Sequence, residues 1–429
     1  MSERPLTLQA TPAAGMADQP VEIRVAGLQP GERAEIHALS RDDRHRLWES
    51  HAVFVADDDG CVNLAGQAPV AGTYSGVDAM GLFWSMTLDP ARSGPPSSFV
   101  KKELSPAVVD LDVKGALGKT VSARLERNFV TPGTEVRDVR EEGLIGRFFI
   151  PPGADEQPAV IVLGGSGGGL DWEKAAMLSS HGYVTLALAY FGISPLPGIL
   201  RRIPLEYFSS AIVWLLRQDR VRKDQLAVLG ASKGAELVLL LGATFSEIRA
   251  VIGIAPSGVH WQGFGKAEAA SWTRAGRSLP YAPVPMARFR WECLFRLLTS
   301  QPVAFRRLYD LALRNREAVQ LAAIPVERIC GPVLLISGSD DQVWPSGEMS
   351  RMIMERLAAK GFPYPFEHLC CEGAGHSFRG PYSPATVVRT THPGVPGEIL
   401  LGGGPAANAR GGRKSWEKML GFLDGHFQP

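Results

Sequence analysis

The amino-acid sequence predicts a small β-sandwich domain followed by a larger α/β domain with a mainly parallel sheet. Three observations predict this organisation. The first third of the 429-residue chain alternates apolar and polar residues at the period of half-buried strands. After about residue 150, short and nearly continuous apolar runs appear, which are typical of strands buried on both faces. Helical patterns fall between these runs, as they do around a parallel sheet.

The N-terminal domain, which we place at residues 1–135, is predicted from short strands separated by turns. In VEIRVAGL, Val21, Ile23 and Val25 lie on one side of the strand and the charged residues lie on the other. The segments AEIHALS and SHAVFVADD repeat this alternation, and the turn-forming stretches LQPGE and DDDG separate such segments. Because no long helical period precedes about residue 150, we predict an immunoglobulin-like β-sandwich.

The second domain, which we place at residues 136–429, contains five apolar runs of strand length. Between two of them, LEYFSSAIVWLLRQD repeats Leu205, Phe208 and Ile212 at helical steps and so gives one apolar face. This pattern predicts a sheet with flanking helices. The five runs are AVIVL (159–163), VTLALAY (184–190), LAVLG (226–230), AVIGIAP (250–256) and VLLISG (333–338).

Residues 260–325 interrupt the alternation of strands and helices. They lie between two strands that we expect to be close neighbours, so an insert here would sit over the carboxyl ends of the strands, where α/β proteins bind ligands. We interpret the segment as a lid or pocket insert. A solvent-facing helical excursion is the alternative, and no residue in the segment identifies a substrate contact.

The composition excludes several classes of function. With 45 basic and 44 acidic residues, the formal net charge is +1, which predicts neither a nucleic-acid partner nor an anionic membrane surface. No apolar stretch has the length of a signal peptide or a membrane span, so we expect a cytoplasmic location and no membrane insertion. The five cysteines lack metal-ligand spacing, so we expect reduced thiols and no metal: Cys61, Cys293, Cys330, Cys370 and Cys371.

The segment LGASKGAE matches G-x-S-x-G at Gly230, Ser232 and Gly234. An apolar strand precedes it and a helical run follows. In this setting small flanking residues allow a sharp turn that exposes the serine hydroxyl above the sheet, which is the nucleophile elbow. The alternative is an ordinary helix N-cap, since serine is well suited to that position.

A serine nucleophile needs a base and an orienting carboxylate, and in the α/β hydrolase fold they follow it in the order Asp, then His. After VLLISG the chain offers Asp340 and Asp341, and we prefer Asp341 as the acid. Either residue could instead cap the next helix. His376, in the loop segment GHSF, is the preferred base, because His368 lies inside the predicted strand FEHLCC.

The developing oxyanion would need two backbone donors. The first is the N–H of Lys233, the residue after the nucleophile, whose side chain we expect to face solvent. The second is the N–H of Ser166 or Gly167, in the glycine-rich loop GGSGGGLDWEK. A phosphate-binding loop is the alternative, but no lysine follows at the spacing of a P-loop.

Over almost its whole length the chain resembles the family of type I acyl-CoA thioesterases and bile acid-CoA:amino acid N-acyltransferases. The N-terminal segments VEIRVAGLQPGERAEIHA and AGTYSGVDAMGLFWSM resemble the sandwich domain of that family. LGGSGGGLDWEKAAMLSSHGYVTLALAYFG, IPVERICGPVLLISGSDDQVWPS and CEGAGHSF resemble its catalytic domain. The resemblance implies an α/β hydrolase fold, with Ser232 as nucleophile, Asp341 as acid and His376 as base.

The resemblance also implies that the acyl donor is a coenzyme A thioester. Family members that transfer the acyl group to an amino acid carry cysteine at the elbow, whereas those that hydrolyse the thioester carry serine. With Ser232, we expect an acyl-CoA thioesterase that needs no cofactor other than the coenzyme A of its small-molecule substrate. The alternatives are an acyltransferase with an amine or alcohol acceptor, or a carboxylesterase.

Two features stay open at this point. The glycine-rich stretch PGEILLGGGPAANARGGRK, which includes residues 396–414, is interpreted as a mobile loop without an assigned role. The sequence leaves self-association into a homo-oligomer open as well.

Overall fold

The computed structural model divides the chain into two compact units. The N-terminal unit comprises Met1–Thr131 together with Arg379–Thr390 and Gly404–Arg413, and the remainder forms the α/β unit. Cys293 lies outside the described residues. The described residues are 5–88, 98–115, 118–153, 155–265, 268–286, 296, 298–299, 301–393 and 395–427.

The division differs from the predicted one in two respects. The first stretch of the N-terminal unit ends at Thr131 rather than at residue 135, and each predicted domain was continuous whereas the observed units are not. The N-terminal unit also takes up Arg379–Thr390 and Gly404–Arg413. The first of these segments contains no strand that pairs with the unit's two sheets, so its sequence has no alternation that would assign it. It contributes instead through single side chains, such as Ala385, that join the apolar core.

The N-terminal unit is built from two sheets, as the sequence predicts. In β4 the alternation buries Ala34, Ile36 and Ala38, which join Ile23 and Val25 in one apolar core. The order β1-β3-β6 forms one sheet, and β2-β10-β9-β4-β5-β7 with β8 beside β5 forms the other. The elements are β1 Thr7–Thr11, β2 Ala14–Met16, β3 Glu22–Ala26, β4 Arg33–Arg41, β5 Leu47–Val55, β6 Cys61–Asn63, β7 Ala71–Gly72, α1 Gly81–Trp84, β8 Thr87–Leu88, β9 Ala107–Lys114 and β10 Thr120–Asn128.

The α/β unit contains an eight-stranded sheet in the order β11-β12-β14-β13-β16-β17-β20-β21. From β14 onward neighbouring strands are parallel, whereas β12 is antiparallel to both of its neighbours. This is the α/β hydrolase fold, and the five predicted apolar runs are confirmed as sheet strands. The strands are β11 Glu135–Val139, β12 Ile145–Ile150, β13 Gln157–Leu163, β14 Val184–Ala189, β15 Ile203–Pro204, β16 Val221–Ala231, β17 Ile248–Ile254, β18 Trp272–Arg274, β19 Arg277–Ser278, β20 Val333–Gly338, β21 Phe366–Cys371, β22 Arg389–His392 and β23 Val395–Leu400.

The helix predicted from LEYFSSAIVWLLRQD buries its apolar face. Leu205, Phe208 and Ile212 are buried on one helix, and on the helix that follows Ser232 every residue is buried. No helix of the described ranges is long and apolar enough to cross a membrane. The helices after α1 are α2 Trp172–Ser179, α3 Leu205–Leu216, α4 Lys233–Gly242, α5 Arg306–Leu313, α6 Arg316–Leu321, α7 Ser346–Ala359 and α8 Pro405–His426.

The predicted insert leaves the sheet between two strands that pair directly. Val251 of β17 is in register with Val333 of β20, although residues 260–325 lie between them in the chain. The described part of the insert holds β18, β19, α5 and α6, and it builds an apolar cluster around Trp261 that also includes Trp344 from the loop after β20. The insert is therefore a packed layer with a core of its own.

The glycine-rich stretch 396–414 is not a loop, which corrects the sequence-based interpretation. Its first part belongs to β23 and its last part to α8. A Cβ atom on Gly402 would lie 2.0 Å from the carbonyl oxygen of Asp340. The glycine therefore lets two backbones approach closely beside the Asp340–Asp341 loop, a reason that no local pattern could reveal.

Candidate active site

Ser232 is the single residue between β16 and α4, and its backbone is strained. Its φ of 57° and ψ of −121° lie in a region that residues other than glycine rarely adopt, at a cost on the order of 1–3 kcal/mol. Its carbonyl oxygen accepts the N–H of Ala235 at 2.8 Å, but its side chain makes no capping hydrogen bond. The hydroxyl is thus not an N-cap, and the strained turn points to a functional constraint.

The two glycines of the motif are required by close backbone contacts. A Cβ on Gly230 would lie 2.2 Å from the carbonyl oxygen of Gly234. A Cβ on Gly234 would lie 2.4 Å from the carbonyl oxygen of Gly164. Real Cβ atoms do not approach so closely, so the turn around Ser232 requires glycine at both positions of the motif.

His376 pairs with Asp341. Its Nδ1 lies 2.8 Å from Asp341 Oδ2, and the carboxylate is fully buried. The same carboxylate accepts the N–H groups of Val343 and Trp344 at 2.9 and 3.2 Å, and the Ser346 hydroxyl at 2.6 Å. Four donors therefore hold this carboxylate in one orientation.

The two residues that compete with Asp341 and His376 lie in other environments. Asp340 is exposed, and it accepts hydrogen bonds from the Gln342 side chain and the Gly403 N–H at 2.6 and 2.8 Å. His368 lies in β21, where its Nε2 is 2.8 Å from Ser337 Oγ. Of the two aspartates, Asp341 is therefore the one that pairs with His376.

The glycine-rich loop after β13 packs against the elbow. A Cβ on Gly165 would lie 3.2 Å from Ser232 Cβ, and the next residue, Ser166, lines the same cavity as Ser232. Ser166 Oγ lies 3.0 Å from His392 Nε2. Lys233 is the first residue of α4, so its N–H has no acceptor inside the helix. Gly167 follows in the loop but is not among the cavity-lining residues of the described chain.

A cavity of about 170 Å³ opens above Ser232. Most of its wall is apolar, with few polar groups, as in other small-molecule sites. Of the sixteen described residues that line the cavity, eight belong to the insert, which supports the pocket interpretation over a solvent-facing excursion. The lining residues are Ser166, Ser232, Lys233, Gln262, Gly263, Phe264, Gly265, Val284, Met286, Phe305, Tyr309, Val343, Trp344, His392, Val395 and Ile399.

The side chain of Lys233 does not face solvent, which corrects the expectation from the sequence. It is 3% exposed, and its Nζ lies 2.8 and 2.7 Å from the two carboxylate oxygens of Glu236. Burial lowers the pKa of Lys233 and raises the pKa of Glu236, while the charge of each partner opposes that shift in the other. A Lys and a Glu three residues apart look like a solvated surface pair, so nothing local distinguished this buried one.

His392 also lines the cavity, and the sequence assigned it no role. It ends β22, and the ring of Phe264 lies 5.7 Å from its own ring. Burial lowers the pKa of His392, so the neutral imidazole is favoured. Across the described ranges, no cluster of three or more His, Cys, Asp or Glu side chains is arranged to hold a metal ion.

Two family models match the chain around this site. The model described as "Acyl-CoA thioester hydrolase/BAAT N-terminal region" matches residues 18–141, and "BAAT / Acyl-CoA thioester hydrolase C terminal" matches residues 203–429. The chain belongs to the BAAT / acyl-CoA thioester hydrolase family. The second range contains Ser232, Asp341 and His376, whereas Ser166 lies between the two ranges.

Named relatives in this family match the chain almost from end to end. Peroxisomal succinyl-coenzyme A thioesterase of Mus musculus is 29% identical, covering 95% of this chain and 94% of that protein. Acyl-coenzyme A thioesterase 5 of Mus musculus is 32% identical with the same coverage. Acyl-coenzyme A amino acid N-acyltransferase 1 of Mus musculus is 30% identical, covering 98% of each chain.

Proposed function

We propose that this protein is an acyl-CoA thioesterase that hydrolyses acyl-CoA to a free acid and coenzyme A. The observation that carries the proposal is the Asp341–His376 pair at 2.8 Å, in a unit that also holds a strained serine whose hydroxyl caps no helix. The His376 ring lies 5.9 Å from the ring of Trp344, which lines the same cavity as Ser232. Membership of the family, and relatives that are named thioesterases, supply the substrate class.

In the proposed reaction Ser232 attacks the thioester carbonyl carbon. His376 takes the hydroxyl proton on Nε2, because its Nδ1 is bonded to Asp341. The new C–O bond forms, the C–S bond breaks, and the proton passes to the leaving thiolate of coenzyme A. Water then attacks the acyl-serine ester with His376 as base, which releases the acid and restores the hydroxyl.

The oxyanion of each tetrahedral intermediate needs donors that are fixed in advance. We assign one to the N–H of Lys233, since the first N–H of α4 has no acceptor within the helix. We assign the other to the N–H of Ser166 or Gly167, because this loop packs against Ser232. Loss of one such donor typically costs about 10²–10³ in rate.

The serine at the elbow favours water as the acceptor. An acyl-serine ester is open to attack by activated water, whereas an acyl-cysteine thioester stays more reactive towards amines. Transfer to an amine is the second candidate function, because a relative named an amino acid N-acyltransferase is 30% identical to this chain. In either case coenzyme A enters only as part of the substrate. The cytoplasmic location stays a prediction.

The test is thiol release from acyl-CoAs of several chain lengths, for wild type and Ser232→Ala, with and without glycine or taurine. We expect wild type to release free acid and the alanine variant to be inactive. Ser210→Ala, which removes an exposed hydroxyl on α3, is the matched control and should retain full activity. An N-acyl product would favour the transferase, and equal thiol release by wild type and Ser232→Ala would overturn the proposal.

A further inference from the structure

The Lys233–Glu236 ion pair is buried as completely as the apolar core. The two side chains are 3% and 0% exposed, and they lie in the first turn of α4, directly after Ser232. Surface pairs with this spacing contribute little because water screens them. Burying one carries a desolvation cost, which is offset only when the remaining hydrogen bonds are also made. Whether the desolvation cost of this pair is offset therefore depends on its other hydrogen bonds.

Those partners come from the insert that walls the cavity. The Lys233 ammonium donates to both oxygens of Glu236 and to the carbonyl oxygen of Trp261 at 3.2 Å, which uses its three protons. Glu236 accepts Trp272 Nε1 at 2.7 Å and the Trp261 N–H at 3.4 Å. The ring of Trp272 also lies 5.6 Å from the ammonium, within the range of a cation–π contact.

Two tyrosines lie near the Glu236 carboxylate, and neither carries a charge. Burial and the charge of Glu236 raise the pKa of both Tyr190 and Tyr309, so both hydroxyls are neutral. The Tyr190 hydroxyl donates to the carbonyl oxygen of Gly164 at 2.7 Å rather than to Glu236. Among the described residues, the donors to the Glu236 carboxylate are Lys233, Trp261 and Trp272.

The backbone of Trp261 is held at both its N–H and its carbonyl by this pair, and the next four residues, 262–265, line the cavity. Ser271 Oγ also donates to the Trp261 carbonyl, at 2.9 Å. Lys233 also directly follows Ser232 in the chain. One buried ion pair thus fixes the distance between Ser232 and the wall that an acyl group would contact.

We propose that Lys233 and Glu236 form a positioning pair that holds the 262–265 wall against Ser232 and so determines which acyl groups the cavity accepts. This inference rests on the proposed function in taking Ser232 as the nucleophile and an acyl group as the ligand. The pair touches no reacting atom through its side chains. The pair affects which chain lengths react and how fast Ser232 reacts in each active molecule.

The test uses alkyl fluorophosphonates of short and long chain, which modify a reactive serine without any coenzyme A. The measured quantity is the ratio of inactivation rate constants for the two chain lengths, per active serine, in wild type, Glu236→Gln and Trp272→Phe. Glu236→Gln keeps the side-chain volume and removes the charge. Trp272→Phe keeps a ring and removes one donor, so it serves if the first variant fails to fold.

We expect Glu236→Gln to change the chain-length ratio by about tenfold or more and Trp272→Phe to change it in the same direction. The matched control is Glu327→Gln, which breaks an ion pair of 2.6 and 2.8 Å with Arg356, away from the residues that line the cavity. It should lower the melting temperature and leave the ratio unchanged.

A purely structural role predicts another result. Glu236→Gln would then lower the melting temperature and the fraction of reactive serine, with the same chain-length ratio per active serine, and this would overturn the positioning role. Failure of the probes to modify Ser232 in folded wild type would overturn the proposed nucleophile instead. The two failures are therefore distinguishable in one experiment.

Discussion

Asp341 Oδ2 receives two hydrogen bonds, from His376 Nδ1 at 2.8 Å and from the Ser346 hydroxyl at 2.6 Å. The second bond aligns the carboxylate for the first. The neighbouring Asp340 accepts from other donors, the Gln342 side chain and the Gly403 N–H.

Asp341→Asn should lower kcat by about 10³–10⁴, because an amide in place of the carboxylate favours the wrong tautomer of His376. KM should change by much less. Steady-state kinetics on an acyl-CoA would measure both. Asp340→Asn is the matched control and should stay within about threefold of wild type. A larger loss for Asp340→Asn than for Asp341→Asn would contradict the assignment.

The strain at Ser232 predicts an unusual order of stability. At an ordinary site glycine is about 0.5–1 kcal/mol less stable than alanine. Release of the strained φ of 57° is on the order of 1–3 kcal/mol, so Ser232→Gly should be about 1 kcal/mol more stable than Ser232→Ala. Urea unfolding of both variants measures this difference.

A control for this order lies on α3. Ser210 is exposed in the middle of that helix, so Ser210→Gly should be about 1 kcal/mol less stable than Ser210→Ala. The same sign at both sites would mean that the elbow stores no strain.

Ser166 and His392 should act as a coupled pair. Ser166→Ala keeps the backbone N–H and removes only the hydroxyl that lies 3.0 Å from His392 Nε2. We therefore expect kcat/KM to fall by about tenfold or less in Ser166→Ala. In a double-mutant cycle with His392→Gln the coupling should be about 1 kcal/mol. Strictly additive losses would show that the hydrogen bond does not position the loop.

His260 should make the folded protein sensitive to mild acid. Burial, aided by the charge of Lys233, lowers its pKa from 6.5 to about 4. Below the unfolded pKa the unfolded chain binds the proton more readily, so folding stability is lost as the pH falls from about 6.5 to about 4. The loss is on the order of 3 kcal/mol.

Chemical unfolding at pH 7 and pH 4 would measure this loss. His260→Gln should be less affected by the change in pH than wild type. His426→Gln, at an exposed position on α8, should behave like wild type. An equal pH dependence in wild type and His260→Gln would exclude His260 as the cause.

The sheet and the elbow could be predicted because their signals are local. A buried parallel strand needs a run such as AVIVL, and the sharp turn needs glycine at both Gly230 and Gly234. The choice of Asp341 over Asp340 rested on its spacing from Gly338 and on the family resemblance, and in the structure Asp341 is the aspartate that pairs with His376.

The missed features depend on partners that are distant in sequence. The buried Glu236 accepts hydrogen bonds from Trp261 and Trp272, which lie in the insert. His392 reaches the cavity from a strand far along the chain, and the glycine stretch near Gly402 is shaped by the backbone of Asp340. None of these relationships leaves a periodic pattern in the sequence.

The N-terminal unit is drawn from three separate stretches, so the polypeptide passes from one unit to the other at 131/132, 378/379, 390/391, 403/404 and 413/414. A protease that nicked the chain after Thr131 would release no intact piece, because Arg379–Thr390 and Gly404–Arg413 would stay attached to the other fragment. Recombinant expression of either half from one contiguous stretch would leave apolar side chains such as Ala385 without their core. Swapping the N-terminal unit between relatives would accordingly require three matched grafts rather than a single junction.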